Sequence, residues 1–309
     1  MKKLFLCLVS LLTVTVNYAQ NTLVATLSHG ENVQVFYGAK ALVDAHNAAE
    51  NGDIITLSSG NFSIASITKA VTIRGAGMYD SEDKSIKATT ISSNGSFGLT
   101  LNIPKNLSQQ LIVEGVYFRS RVGWDYLENA IFRKCRFNNL AGSDYADTSI
   151  NLTFVHCITE LNTTGMKGSF TIVNSFVRLS YTSGGTFINC YIMADGGSTK
   201  QYCVLTNCVI IGQMTDSSNT LDHCISNYNF NNAVATGCTQ VSSLTYNSDI
   251  PNLKFPDYLG DDGTEVGIYG GAMPFSPTLT YPQITKCNVS SKSTVDGKIS
   301  VDIEVNTVE

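Results

Sequence analysis

Positive charge is scarce in this chain of 309 residues, where 20 Lys and Arg stand against 25 Asp and Glu. Binding to a phosphate backbone needs an excess of cationic side chains, so nucleic acid is not an expected partner. Long apolar runs are missing too. The longest candidate, Leu4 to Val16, is shorter than the roughly 20 residues a bilayer span requires; it follows Lys2 and Lys3 and precedes Ala19-Gln20. This pattern predicts a signal peptide over 1–19 and a mature chain without a transmembrane segment, either secreted, periplasmic or held at the outer cell surface. No two of the nine cysteines form a Cys-x-x-Cys pair, so zinc is not expected even at His156-Cys157 and His223-Cys224. Charged residues thin out between 148 and 256, which leaves poor support for the paired carboxylates of a glycosidase there.

In place of these features the chain carries a drifting phrase in which an apolar residue is followed at +3 by a small residue and at +5 by another apolar one. It reads Ile73-Arg-Gly-Ala76-Gly-Met78, Val113-Glu-Gly-Val116-Tyr-Phe118, Phe132-Arg-Lys-Cys135-Arg-Phe137, Phe154-Val-His-Cys157, Ile172-Val-Asn-Ser175-Phe-Val177, Phe187-Ile-Asn-Cys190-Tyr-Ile192, Leu205-Thr-Asn-Cys208-Val-Ile210, Leu221-Asp-His-Cys224 and Ala235-Thr-Gly-Cys238. Inward residues of a strand recur every second position, so a step of three marks a bend. The residue before the small one is Gly75, Gly115, Lys134, His156, Asn174, Asn189, Asn207, His223 or Gly237, mostly types that tolerate positive φ. One left-handed corner per repeat, in a sequence rich in Thr, Ser, Asn, Ile and Val, predicts an all-β solenoid: a single-stranded parallel β-helix.

The segment Gly38-Ala-Lys-Ala-Leu-Val-Asp-Ala-His-Asn-Ala-Ala-Glu-Asn-Gly52-Asp53-Ile-Ile-Thr-Leu57, with Gly60-Asn-Phe62 and Ile67 to Gly75 behind it, resembles the opening of the pectin-lyase-like family of right-handed parallel β-helices. The later stretch Asp262 to Gly271 resembles the closing segment of bacterial surface β-helix proteins. The resemblance implies a right-handed solenoid over 20–243, with an N-terminal capping helix near 39–51 whose Leu42, Ala45 and Ala49 share one face and whose end falls at Gly52. Past Ser243 the phrase stops, and prolines gather. Residues 244–309 are expected to form a closing segment and a C-terminal β-hairpin around Asp296-Gly297.

Six cysteines fall at one inward position, where Ala76, Val116 and Ser175 serve in other coils. This predicts a ladder of small buried thiols, with cross-coil disulfides as the alternative. One residue further on, the column Tyr117, Arg136, Ile158, Phe176, Tyr191, Val209 and Ile225 faces outward. So long an apolar stripe needs a cover. Either the tail lies on it or a polysaccharide or protein does, with Tyr117, Phe176 and Tyr191 as stacking anchors. A charged stretch, Arg119 to Glu128, is expected as a loop that offers Trp124, Tyr126 and, nearby, Arg136 to an acidic sugar. In family lyases an Arg or Lys removes the proton beside a uronate carboxylate, so the resemblance implies Arg119 or Arg121 as base. Asp257, Asp261 and Asp262 could hold calcium, although a plain turn is the favoured reading of them; no cofactor is otherwise required. The expected partner is a polysaccharide or cell-surface glycan. Three functions follow: a polysaccharide-binding or adhesive surface module without strong catalysis, a polysaccharide lyase acting on an acidic glycan, or a purely structural surface protein.

Overall fold

The computed structural model describes residues 23–81, 84, 86–93, 95, 98–142, 149–194, 200–214, 216–230, 233–279, 283–289 and 301–306. The expected signal peptide and the Asp296-Gly297 turn lie outside them. The chain forms a parallel β-solenoid of about nine turns. One sheet stacks strands such as Leu111–Glu114, Leu127–Arg133, Ser149–Val155, Met166–Val173, Thr186–Ile188 and Val204–Thr206. The other stacks Gly60–Ser63, Thr89–Ser92, Tyr117–Gly123, Arg136–Ala141, Ile158–Thr164, Phe176–Leu179, Tyr191–Ala194, Val209–Gly212, Ile225–Ser226 and Thr239–Gln240.

The corner between the sheets is the one-residue left-handed bend that the repeat predicts. Eight of the nine corner residues have positive φ: Gly115 (68°), Lys134 (50°), His156 (53°), Asn174 (43°), Asn189 (50°), Asn207 (55°), His223 (46°) and Gly237 (62°). Corner amides stay paired through the bend, because each donates to the next coil: Lys134 N–H to Val155 O (2.9 Å), Asn174 N–H to Ile188 O (3.0 Å), Asn207 N–H to Asp222 O (2.9 Å). No backbone group is therefore sacrificed to the turn. Gly75 is the exception, and its reason differs. It lacks positive φ, but a Cβ there would stand 2.4 Å from Gly115 O and 2.8 Å from Thr89 Cβ, so close packing requires the glycine.

Inside, like side chains stack on like. Phe118 lies on Phe137 with ring centroids 5.1 Å apart, and Phe132 on Phe154 at 5.0 Å. Cys135, Cys157, Cys190, Cys208 and Cys224 are buried free thiols, with Cys238 half-buried at the last coil.

At the first coil the helix spans Ala41–Ala48 and buries Ala41, Leu42, Ala45 and His46. It ends at Ala49, not at Gly52. The orphaned C-terminal carbonyls have a better partner than a glycine turn: Lys69 Nζ donates to His46 O (2.8 Å), Asn47 O (2.8 Å) and Ala49 O (2.6 Å), placing a cation at the negative end of the helix. Gly52 (φ 97°) instead turns the chain into Ile54–Leu57. A second cap escaped the sequence reading. Strands Val24–His29 and Asn32–Tyr37 form an antiparallel hairpin that pairs with Ile54–Leu57 and extends the first sheet past the opening coil.

The tail settles what covers the outer stripe. After Gln240 the chain turns back as a strap along the second sheet. Val241, Leu244, Leu253, Phe255, Val266, Ile268 and Phe275 pack on Ile158, Phe176, Tyr191, Val209 and Ile225 in a second core. Tyr191 is 1 % exposed, stacked between Phe176 (5.4 Å) and the strap's Phe255 (6.2 Å).

The corner side chains hold this strap down. Asn207 exchanges hydrogen bonds with Asp261, donating from Nδ2 to Oδ1 (2.7 Å) and accepting the Asp261 N–H (3.0 Å). Asn174 Nδ2 donates to Ile268 O (3.0 Å) and Gly270 O (2.8 Å), His156 Nε2 contacts Met273 O (3.0 Å), and Lys134 Nζ donates to Thr278 O. The strap thus runs antiparallel to the stacking direction. Its glycines admit the corner side chains: a Cβ on Gly260 would stand 2.5 Å from Asn207 Cγ, and one on Gly271 2.1 Å from Asn189 Nδ2. Glycine occupies the corners beyond the strap, at Gly115 and Gly237, and Asn, His or Lys those beneath it. Beyond the strap, Gln283–Val289 and Val301–Asn306 pair antiparallel as the expected hairpin.

Two predictions follow from this packing. Asn174→Gly keeps the left-handed corner but deletes both strap bonds, so it should cost about 1–3 kcal/mol in urea unfolding; a neutral result would mean that Asn174 serves the corner alone. His46 Nε2 accepts Thr68 N–H (3.1 Å). Burial first, and the Lys69 ammonium second, hold His46 below the ordinary value of 6.5. The unfolded chain then binds a proton that the folded cap refuses, so stability should be intact above 6.5 and decline as pH falls below it toward the lowered folded value. The slope should shrink in His46→Gln, and His156, also held low chiefly by burial, supplies the remainder; stability that rises toward acid would contradict this.

Candidate functional site

The strap's contacts with the corners end at Thr278, beside the coil of Lys134. Upstream of that coil the outer face of the second sheet is partly open, with Asn61 exposed, Tyr117 half-buried and Thr90 buried. The outward column can be followed through the strand register from Asn61 to Thr90, Tyr117, Arg136, Ile158, Phe176, Tyr191, Val209 and Ile225. The character of this column changes where the cover stops: Ile158 to Ile225 are buried, whereas Asn61 to Arg136 are polar or amphipathic. A groove of about 1160 Å³ opens over the polar half, lined by Asn61, Thr90, Tyr117, Arg119 and Arg136 from the sheet and by Tyr79, Asp80, Lys84 and Lys87 from the connection that precedes Thr89–Ser92.

One charged cluster organises the groove. Arg136 Nε donates to Glu160 Oε1 (2.7 Å), and the Tyr117 hydroxyl donates to Glu160 Oε2 (2.9 Å). The guanidinium also lies 4.4 Å from the Tyr117 ring centroid and 5.0 Å from that of Tyr79, within cation–π range of both. Burial raises the phenol of Tyr117, and its bond to Glu160 raises it further; burial likewise dominates the rise at Tyr79. Both hydroxyls therefore stay protonated donors through neutral pH. Lys87 pairs with Asp80 (2.9 Å), whose carboxyl is held low first by the Ala88 N–H and second by Lys87. The groove offers aromatic faces, amide and hydroxyl groups, and cations already held in place. Those are the elements that grip a polyhydroxylated chain.

The sequence-predicted residues divide sharply. Tyr117, Arg119 and Arg136 line the groove together. Arg121 is exposed but is not among the lining residues. Tyr126 stands apart, under the Lys105 ammonium (3.9 Å) and donating to Glu128 (2.5 Å). Three expected contacts are corrected by burial. Phe176 and Tyr191 lie under the strap and have no face left for a sugar. Trp124 is 3 % exposed inside the solenoid, with Nε1 donating to Ser149 Oγ (3.2 Å). The expected loop around it is largely strand, Tyr117–Gly123, then a short turn, then Leu127–Arg133; Val122 and Trp124 continue the inward alternation.

Two of the three aspartates named for calcium have partners within the fold. Asp261 is spent on Asn207, Asp262 Oδ1 accepts Thr264 N–H (2.9 Å) and Oγ1–H (2.7 Å), and Asp257 is exposed. Among the described residues no three His, Cys, Asp or Glu side chains come together to hold a metal ion. Tyr79, Asn61 and Thr90 are among the lining residues that sequence reasoning missed, with Asp80, Lys84 and Lys87. The register column could have yielded Asn61 and Thr90, whereas Tyr79 comes from an irregular connection without a repeat position. No helix among the described residues is long and apolar enough to cross a membrane. No family model, curated protein or solved structure matches the chain.

Trp124 is the only tryptophan, so fluorescence checks its placement. The native chain should show blue-shifted emission and weak iodide quenching, neither changed by added polysaccharide; strong quenching that polysaccharide relieves would return the indole to the binding surface.

Proposed function

We propose that this chain is a secreted or surface-displayed β-helix protein of the pectin-lyase-like type that binds polysaccharide along the groove of Tyr79, Tyr117, Arg119 and Arg136, without strong catalysis. The observation that carries this reading is the change of character along one register column: apolar where the strap lies on it, polar and aromatic where the strap has ended. A surface needed only for solubility would not require two tyrosine rings around a paired arginine. Ligand sites combine such fixed polar groups with aromatic faces in a preformed concavity.

A lyase acting on an acidic glycan is the second reading, favoured by Arg119, which is exposed and lines the groove. The base would take the proton next to the uronate carboxylate, and the glycosidic oxygen would leave from the neighbouring carbon to give an unsaturated sugar. A second group must neutralise that carboxylate as charge develops. Arg136 is already committed to Glu160 and Lys87 to Asp80, which argues for binding over turnover. A purely structural role would need the tail to cover the whole column, and it leaves Tyr117 half-exposed.

Affinity electrophoresis against neutral and uronic-acid polysaccharides tests the reading. Tyr117→Ala should weaken retention about three- to tenfold, the worth of one aromatic contact, and Arg119→Ala should weaken it selectively for acidic polymers. Both variants should keep the wild-type unfolding midpoint to within about 1 kcal/mol. Equal retention by wild type and both variants would remove the groove from the binding site. Mass spectrometry of the incubated polymers separates the second reading: intact polymer supports binding alone, and a terminal unsaturated sugar lost in Arg119→Ala establishes the lyase.

A further inference from the structure

The thiol ladder is two groups. Ser175 interrupts it, accepting Cys157 N–H (2.9 Å) and donating to Val173 O (2.7 Å). Cys135 and Cys157 lie on one side, and Cys190, Cys208, Cys224 and Cys238 form an unbroken column on the other, in which Cys208 N–H donates to Cys224 Sγ and Cys224 N–H to Cys238 Sγ. Only the last of these reaches the surface. Cys238 is half-buried, and its flanking strands Val234–Thr236 and Thr239–Gln240 are exposed throughout.

Cys224 and Cys238 are placed opposite one another by the register. Asp222 pairs with Thr236 on one side of them and Ile225 with Thr239 on the other, so the two Cα atoms are one coil apart. A coil spacing of about 4.8 Å falls within the range a disulfide accepts. Cys224 N–H donates to Cys238 Sγ (3.4 Å), and Cys208 N–H to Cys224 Sγ (3.4 Å); the Cys238 thiol as a whole is pushed up, first by its contact with the Cys224 sulfur and second by burial, so its exposure and register, not its acidity, single it out.

We propose that Cys224 and Cys238 form an oxidation site at the open end of the solenoid, which reacts with small-molecule disulfides and closes to a single cross-coil disulfide. The Cys238 sulfur gives up its proton and attacks one sulfur of the small disulfide, releasing the first small thiolate, which takes up that proton. The Cys224 sulfur then gives up its proton and attacks Cys238 sulfur in the mixed disulfide, expelling the second small thiol. Two protein thiols are oxidised and one small disulfide is reduced to two thiols. The product pins the last coil, otherwise an exposed edge, onto the stack. Cys190 and Cys208 have the same neighbours but no access, and Cys135 and Cys157 are sealed under other coils, so reaction enters at one end only.

The test treats the reduced full-length chain with oxidised glutathione, then alkylates it after unfolding in acid-quenched samples and maps the peptides. The expected result is one Cys224–Cys238 linkage, alkylation of Cys135, Cys157, Cys190 and Cys208, and a higher urea midpoint that reverts on reduction. Cys238→Ser should leave Cys224 fully alkylated. In the untreated native wild type, maleimide should label Cys238 first among these six, and prior glutathione treatment should abolish that labelling, a readout that does not depend on any variant folding. The proposal fails if Cys224 and Cys238 remain as alkylatable as Cys135, or if oxidation joins a pair without Cys238.

Discussion

A single backbone conformation, the left-handed residue repeated at one corner of each coil, is the constraint on which the rest of this structure depends. It is disfavoured for most side chains, yet it recurs at seven consecutive coils beyond Gly115. The cost is offset because the corner amides remain paired between coils and because Lys134, His156, Asn174 and Asn207 bond to the strap. The bend also puts the following small residue inward and the one after it outward. Core, thiol column and outer stripe are therefore three readings of the same register.

The corner also shapes the strap. Its glycines sit where corner side chains press against its backbone, and its apolar residues sit over the outer stripe. The closing segment is thus shaped to the solenoid wall. The strap also decides how much of the outer face stays open. Its cover runs from the coil of Ile225 to the coil of Ile158, and the same sheet face continues partly open toward Asn61. The Tyr117, Arg136 and Glu160 cluster stands at that border: Glu160 anchors both side chains, so the first uncovered coils present an ordered rather than a mobile polar surface. This link from covering to exposure is physical. What the exposed face binds is the proposal built on it.

Much of the architecture was legible in the sequence because a solenoid writes its geometry once per coil. The step of three, the Asn and Gly preference before it and the equivalence of Cys135, Cys157, Cys190, Cys208, Cys224 and Cys238 each follow from local sterics and appear many times, so drift in one coil does not hide them. Features that occur once were less readable. The helix end is tied by Lys69, 20 to 23 residues beyond the carbonyls it binds, and no local stop signal announces that. Trp124 looked like a loop residue because charged neighbours masked an inward alternation through Val122. Phe176 and Tyr191 were placed outward correctly, but outward is not exposed: the sequence posed the choice between strap and partner, and only tertiary packing answered it. The groove was half legible, since Tyr117, Arg119 and Arg136 lie on repeats, whereas Tyr79 does not.

Amide hydrogen exchange on the intact chain tests the central claim, that the corner column and outer stripe hold the strap as part of the fold, most directly. Gly267 N–H bonds to Asn207 O (2.8 Å), and Phe275 N–H is held at Ile268 O (2.8 Å); these amides should exchange on the timescale of the inner strands, while the exposed turn around Gly263 exchanges quickly. Protection across 253–279 no greater than in that turn would contradict the account, because the apolar stripe would then be open and the boundary that defines the groove would not exist.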